Sequence, residues 1–418
     1  MSYGQLSKVF RSFAWKELTA VEADARASNG HEFNSSSRLR EILGNTEREQ
    51  KKGAGIQTRF IYLSDNDDEP LVALGTLSWY DSRKAIKHRT PEWRLYYSDN
   101  QVIGREGRAS AKDFLVIAFT ANIESATVFI AEAGSTSERQ LRWLFGITES
   151  QQVIFGTAEV ANSQMLDMTR TKILESAGII VLTEDQTLLE IMLNKFGAVF
   201  PTTSVFGNFV RSNLPDVRAE DNPDHALTEW MEQEEFAFRV LEKHIVGERL
   251  KTGFKDVDDF IQCSLSVHNR RKSRAGLAFE NHLAEVFRVN HLVFERTAKL
   301  ENKAKPDFLF PGEKKYFDND FPVELLTLLG AKTTCKDRWR QVLAEGPKIR
   351  NKHLVTLEPA ISSGQLREMR NHHLQLVVPA SLISTYPQTE RDDIWNLATF
   401  IEDVKTKQLK SFTITKNS

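Results

Sequence analysis

Four charged side chains in the second half of this 418-residue chain stand in stretches that otherwise read as apolar: Glu280, Asp307, Lys332 and Glu345. Asp307 follows Pro306 and opens the run Phe308-Leu309-Phe310. An acid at the mouth of a buried strand is costly unless it is paired or ligates a cation. Lys332 ends an apolar run, Leu325 to Ala331, which places it within reach of an acid on a neighbouring strand. Glu280 has Leu277, Leu283, Ala284 and Phe287 at helical spacing, which predicts an inward carboxylate on a buried face. Glu345 lies one predicted helix beyond Lys332. Carboxylates with one lysine on adjacent elements form a known kind of phosphodiester-hydrolysing site. The carboxylates hold Mg²⁺ through oxygen, with water and phosphate completing the shell. The lysine orients or deprotonates the attacking water, or stabilises the transition state. Each residue also has a structural alternative. Glu280 could pair with Arg274 or Arg288, Asp307 could cap a turn, and Lys332 could snorkel from a strand end. The four together, on predicted neighbours, favour the site.

The elements that must position them alternate. PDFLF (306–310), VELLTLLGAKTT (323–334), HLVTLE (353–358) and LQLVVP (374–379) read as strands, and KDRWRQVLAE as a helix between two of them. A helix between strands predicts an α/β core with a partly parallel sheet. Upstream, Leu227 to Leu250 and Val257 to Val267 read as helices, followed by the basic run NRRKSR and an amphipathic helix from Leu277 to Phe287. The first 200 or so residues read as β-rich, with strands at Arg59–Leu63, Leu71–Tyr80, Arg94–Tyr97, Asp113–Thr120 and Ala126–Glu132, and helices at Ser137–Phe145 and Ser163–Ala177. The polar stretch Arg211 to His225 carries two prolines and is the linker candidate. The expected division is an N-terminal domain over 1–205, a linker over 206–224 and a catalytic domain over 225–418.

Composition sets the frame. The chain has 55 Lys plus Arg against 57 Asp plus Glu, 40% hydrophobic residues and 27% charged ones. That excludes a histone-like polycation and a long acidic tail, but not DNA binding, which depends on local clusters. Two cysteines, Cys263 and Cys335, cannot build a disulfide framework or a four-cysteine zinc site, which suits a reducing cytosol. No apolar run approaches a membrane span, and MSYGQLSKVFRSFAWKELTA has no signal-peptide core.

The segment from Asn269 to Pro379 resembles the catalytic domain of the EcoRII-type restriction endonucleases. The matching strings are NRRKSRAG at 269–276, KPDFLFPG at 305–312, FPVE at 321–324, KTTCKDRWRQVL at 332–343, KHLVTL at 352–357, REMR at 367–370 and LVVP at 376–379, in the family's order. The resemblance implies a PD-(D/E)xK restriction-endonuclease-like fold and Mg²⁺-dependent cleavage of double-stranded DNA at a CCNGG- or CCWGG-like site with 5′ overhangs. It also implies a cytoplasmic enzyme of a bacterium or archaeon, with a cognate DNA methyltransferase as genetic partner.

Carried over residue by residue, Asp307 and Lys332 match the metal-binding acid and the catalytic lysine, Glu280 the upstream helix acid, and Tyr316 a tyrosine tied to activity. The usual second acid, two residues before the lysine, is replaced here by Gly330. Relatives with the same gap use a glutamate on the next helix, which Glu345 matches. Gly346-Pro347 follows at once, and proline breaks a helix there. Lys336, Asp337 and Arg338 match the base-reading cluster, with donors for guanine and an acceptor for cytosine N4. A symmetric site implies a homodimer. The family extrudes the central base, and Trp230 and Phe236 are the candidate stacking residues, with core packing as their alternative.

The N-terminal half resembles the family's effector domain only in layout: a strand, DSRK at 81–84, a basic loop and EWRLYY at 92–97. This implies a pseudobarrel-like DNA-binding domain. Arg83, Lys84, Lys87, Arg89, Arg94, Arg105 and Arg108 are the expected phosphate contacts, interleaved with Trp79, Tyr80, Trp93, Tyr96 and Tyr97. Such a domain would bind a second DNA copy and regulate cleavage. The competing class is a sequence-specific DNA-binding regulator on an inactive nuclease fold. Retention of Asp307, Lys332 and a third acid favours the enzyme.

Overall fold

Alternating apolar residues and turn-formers in the first part of the chain give strands β1 (Ser12–Glu17), β2 (Glu32–Phe33), β3 (Ile56–Leu63), β4 (Leu71–Asp81), β5 (Trp93–Tyr97), β6 (Phe114–Phe119), β7 (Ser125–Ala131) and β8 (Gly156–Glu159). The computed structural model describes residues 5–23, 31–33, 37–48, 55–67, 69–85, 88–98, 100–148, 155–161, 166–179, 185–301, 304–335 and 338–416. The eight strands form one sheet in the order β2-β5-β4-β3-β7-β6-β1-β8. The β3–β7 pair is parallel and the other pairs are antiparallel. β6 is buried at every position, which its unbroken FLVIAF run requires. Helix α1 (Thr136–Phe145) follows β7, N-capped by Ser135.

The chain divides into two compact units, Met1–Leu182 and Thr183–Ser418. The boundary therefore lies earlier than the expected one at 205. The reason is physical. Helices α2 (Gln186–Phe196) and α3 (Thr203–Ser212) belong to the second unit, and α3 buries Phe206, Phe209 and Val210. The first seven residues of the expected linker, 206–212, are thus amphipathic helix. Even beyond it, the Ala219 carbonyl accepts a bond from Asn290 Nδ2 at 3.1 Å.

In the second unit, α4 (Pro223–Thr252) and α5 (Val257–Val289) are long helices. NRRKSR, which lies between two expected helices, is itself helical and continuous with both sides. Two of its four charges are matched from α4: Arg271 pairs with Glu242, and Arg274 with Glu234 and Glu235. The sheet order is β13-β12-β11-β10-β9, with β9 at Glu295–Arg296, β10 at Phe308–Phe310, β11 at Thr327–Lys332, β12 at Lys352–Thr356 and β13 at Leu374–Val377. β9, β10 and β11 pair antiparallel, whereas β11, β12 and β13 run parallel. Helices α6 (Trp339–Leu343) and α7 (Ser363–Asn371) make the parallel crossovers, as expected. Short α8 (Ala380–Ile383) and α9 (Leu397–Lys416) complete the unit.

Asp224, in the first turn of α4, ties this unit together. It is buried, and its carboxylate accepts the amides of Ala380 and Leu397 at 2.9 Å each and of Ala398 at 3.0 Å. One side chain thereby supplies acceptors for the open N-termini of α8 and α9.

Candidate active site

The antiparallel register of β10 and β11 sets Phe308 opposite Leu329. Asp307 therefore enters the sheet beside the C-terminal end of β11. Its Oδ2 accepts both the Ala331 amide at 2.7 Å and the Lys332 ammonium at 2.8 Å. Both side chains are mostly shielded, at 15% and 20% exposure, so this pair is screened less than a surface one. The lysine is fixed by the strand, and the acid by strand and lysine together.

Glu280 approaches from α5. The buried stripe of that helix runs through Ala278, Phe279, His282, Leu283, Val286 and Phe287, and Glu280 stands at its edge. Leu277, expected on the buried face, is 47% exposed. Neither Arg274 nor Arg288 is the partner of Glu280. Arg296 on β9 donates to Glu280 at 2.9 Å and to Asn281 Oδ1 at 2.9 Å. Burial pushes the Glu280 carboxyl above its usual range, the Arg296 hydrogen bond opposes this, and the Asp307 charge adds to the rise. Position 280 is thus within the electrostatic field of Asp307.

Glu345 arrives from the other side. α6 ends at Leu343, as the following Gly-Pro requires, and the Glu345 amide bonds back to the Val342 carbonyl at 3.2 Å. Gly346 adopts φ +54°, a left-handed conformation suited to glycine, and closes the turn. The turn does not carry Glu345 away. Burial, and next the Asp307 carboxylate, hold its carboxyl up at about 6, while Lys332 and Lys352 pull it down. Its Oε2 is buried without a hydrogen-bond partner. Lys352, 7% exposed at the start of β12, donates to the Leu343 carbonyl at 2.8 Å and sits in the field of Glu345.

These carboxylates suit a hard divalent cation. Among the described residues no group of three His, Cys, Asp or Glu side chains could hold a metal ion as it stands. Mg²⁺ needs no such cage, because it keeps several waters and takes one or two carboxylates. The partnerless Glu345 Oε2 is the feature that fits: a buried acceptor left unmade costs about 1–3 kcal/mol, and a bound cation would relieve it.

The remaining candidates fall outside this cluster to different degrees. Tyr316 is buried, and its hydroxyl donates to Glu301 at 2.8 Å. Burial and that carboxylate push it up to about 12. Its ring lies beneath the Gly346 turn, 3.8 Å from where a Cβ on that glycine would be, so it supports the Glu345 turn from below. Lys336 and Asp337 lie outside the described residues. Arg338 is exposed at the start of α6, and its amide bonds to the Cys335 carbonyl at 2.7 Å. Glu358, buried after β12, accepts the Cys335 amide at 2.9 Å and anchors this loop.

Trp230 and Phe236 are 5% and 3% exposed on α4. The Arg211 guanidinium lies over the Trp230 ring at 5.7 Å, and His282 lies 5.8 Å from it. Neither ring presents a face to an extruded base in this conformation, and packing between helices accounts for both.

In the N-terminal unit the basic residues are matched by acids. Arg83 pairs with Glu92 at 2.5 Å, Lys84 with Glu47, Arg94 with Glu32 at 2.9 Å and Glu92 at 3.1 Å, and Arg108 with Asp67. Arg89 and Arg105 are exposed, and Lys87 lies outside the described residues. Trp79 and Tyr97, read as interleaved with the cations, are fully buried core residues. Trp79 stacks on Trp93 at 5.2 Å.

Arg296, Lys352 and Glu358 are not among the residues singled out in the sequence. Each is a charged residue at the edge of an apolar strand whose partner lies on another element.

The family model described as EcoRII C terminal matches residues 238–401. The chain is 34% identical over 297 residues to the type II restriction enzyme EcoRII of Escherichia coli, spanning 70% of this chain and 72% of that one. Among solved structures, metal-depleted Ecl18kI in complex with uncleaved, modified DNA is 19% identical with a TM-score of 0.45, over 53% of this chain and 84% of that one. The complex of restriction endonuclease PspGI with substrate DNA is 18% identical with a TM-score of 0.42, over 50% of this chain and 94% of that one. The chain is of the type II restriction-endonuclease class, and its α/β unit carries an Asp–Lys pair at adjacent strand ends. The chain belongs to the EcoRII family of type II restriction enzymes.

Proposed function

We propose that this protein is a Mg²⁺-dependent type II restriction endonuclease that hydrolyses both strands of DNA at a CCNGG- or CCWGG-like site, leaving 5′ overhangs. The observation that carries this reading is the Asp307–Lys332 pair, 2.8 Å apart, with the buried Glu345 carboxylate in its field. Asp307 and Glu345 would hold the cation, with Glu280 as the third acid. The chemistry Mg²⁺ supplies when bound is charge neutralisation at the phosphate and a lower pKa for the attacking water. Lys332 is placed to orient that water and to stabilise charge on the phosphoryl oxygens. Arg338, with Lys336 and Asp337, would read the CC:GG half-site from the major groove.

Two copies acting on a symmetric site would cleave the two strands, so the working form is a homodimer. The N-terminal unit would bind a second DNA copy. Its ion pairs are partly exposed, and such pairs contribute only about 0–1 kcal/mol, so phosphates could replace the glutamates. The setting is the cytoplasm of a bacterium or archaeon, with a methyltransferase protecting host sites. Among the described residues no helix is long and apolar enough to cross a membrane.

The test is incubation of unmethylated phage DNA with the protein and Mg²⁺, followed by sequencing of the ends. Discrete fragments with one common end sequence are expected, and Lys332→Ala should abolish them. No fragments from the wild type would overturn the enzyme reading in favour of a DNA-binding regulator, and fragments that survive Lys332→Ala would overturn the assignment of this site.

A further inference from the structure

Glu358 is a buried carboxylate that the cleavage chemistry does not use. It follows β12, two residues beyond Thr356, and the parallel register sets Thr356 beside Lys332. Its backbone is held on both sides. The Glu358 amide donates to the Thr356 hydroxyl at 3.1 Å, and its carbonyl accepts the hydroxyl of the fully buried Tyr386. From that fixed base the carboxylate reaches the exit of the neighbouring strand β11, where Oε2 accepts the Cys335 amide at 2.9 Å. Burying a carboxylate is costly unless it is hydrogen-bonded. A bond from a backbone N–H to an ionised oxygen is roughly twice as strong as a neutral one.

What Glu358 holds is the root of the segment that carries Arg338. Cys335 is fully buried, and its carbonyl accepts the Arg338 amide at 2.7 Å. Trp339, the next residue, is also fully buried and belongs to the same apolar cluster as Cys335. Arg338 is therefore an exposed cation suspended between two core residues. Helix α6, which begins at Trp339, receives no hydrogen bond from the side chain of its own N-cap. Its start is tied instead through the Cys335 carbonyl, and Cys335 is tied to β12 through Glu358. The same run of chain begins at Lys332, which Asp307 fixes from β10. The lysine of the cleavage site and the exposed arginine are thus anchored from opposite sides of β11, by two different acids.

We propose that Glu358 is a positioning residue for base recognition: it sets where Arg338 stands at the sheet edge, and with it the preference of the enzyme for its own site over sites with one base pair changed. The proposal rests on the reading of Arg338 as a base-reading residue. The experiment uses the full chain and compares kcat/KM on a duplex carrying the site defined by end sequencing with duplexes changed at one base pair. Circular dichroism monitors folding. Glu358→Asp is one methylene too short to reach the Cys335 amide from the same backbone, and should lower the preference about tenfold, within the discrimination that one bidentate base contact supplies. Glu358→Gln keeps both the reach and an acceptor, and should keep most of the preference. Tyr386→Phe removes only the hydroxyl that holds the Glu358 carbonyl, and should lower the preference in the same direction. In an Arg338→Ala background Glu358→Asp should lower it no further, because both act through one contact. Rates that fall equally on every duplex, a preference unchanged in Glu358→Asp and Tyr386→Phe, or an effect that adds to that of Arg338→Ala would overturn this role and leave the nuclease reading standing. Should Glu358→Asp fail to fold, the preference of Tyr386→Phe decides alone. A wild type that cuts without a defined site would overturn the base-reading role of Arg338 as well.

Discussion

A Cβ on Gly330 would lie 2.5 Å from Val342 Cγ2. Gly330 occupies the position where an acid usually stands, two residues before the lysine, and α6 has filled the space that acid would use. The same segment delivers Glu345 three residues later. The absence of an acid at position 330 and the arrival of Glu345 in the field of Asp307 are therefore two consequences of a single packing choice. Gly330→Asp should not restore a standard site. It should destabilise the protein by about 1–3 kcal/mol through overpacking and abolish cleavage. Combining it with Val342→Ala should recover part of the stability, which thermal melts of the single and double variants would show.

Glu345 makes stability depend on pH in a definite direction. Its carboxyl is held at about 6 in the folded chain, against an ordinary 4.5. A carboxyl raised on folding keeps its proton longer in the folded state, so its contribution to stability falls as pH rises from about 4.5 through about 6. Above that window the ionised group works against the metal-free fold. Glu345→Gln should therefore melt higher than wild type in chelator at about pH 8, with the gap closing near pH 5. Added Mg²⁺ should stabilise the wild type more than the variant.

Arg296 is the hydrogen-bond partner of Glu280 and opposes the rise that burial imposes on its carboxyl. Arg296→Ala leaves a half-buried carboxylate without its donor, a loss of about 1–3 kcal/mol. Cleavage should fall by about 10–100-fold, the range seen when a partner that orients a metal ligand is removed. The Mg²⁺ concentration for half-maximal rate should rise, whereas equilibrium DNA binding measured in Ca²⁺ should change little. Arg296→Lys should recover part of the loss. A variant with wild-type Mg²⁺ dependence would assign the arginine a purely structural role.

Truncation separates the two boundaries. A chain starting at Thr183 keeps α2 and α3, and should fold and bind DNA as an isolated nuclease. A chain starting at Asp216 loses the buried Phe206, Phe209 and Val210 and the 2.8 Å contact between Arg211 and His282. Removing three such side chains uncovers the surface they pack against and forfeits several kcal/mol, at about 1.5–3 kcal/mol each. The shorter chain should melt far lower or aggregate. With the longer one, cleavage of one-site and two-site DNA can be compared to test the regulatory role of the N-terminal unit.

Asp307 and Lys332 were legible because each interrupts an apolar strand, where an unpaired charge is too costly to be accidental. The strands from Arg59 to Glu132 were legible because β-branched and aromatic runs alternate with turn residues. What was hidden depends on partners distant in sequence. That NRRKSR continues the helix shows only when Glu234, Glu235 and Glu242 of α4 are set beside it. Glu280 has two nearby arginines, yet its partner comes from β9. The Gly-Pro after Glu345 correctly signals a helix end, but a turn can hold a carboxylate in place as well as a helix can. Trp230 resembles a stacking platform by residue type alone, and burial decides against it. The cations at Arg83, Lys84, Arg94 and Arg108 are a basic cluster by count and a set of ion pairs by geometry.

Asp224 has a consequence for when the nuclease comes into being. Its three amide donors, at Ala380, Leu397 and Ala398, lie more than 150 residues downstream. As the chain leaves the ribosome, α4 can form early, but this buried carboxylate stays unsatisfied until residues 380–398 have emerged. Every catalytic candidate, from Glu280 to Glu345, is translated inside that interval. A nascent chain thus carries its whole catalytic set before it has the clasp that closes the unit around it.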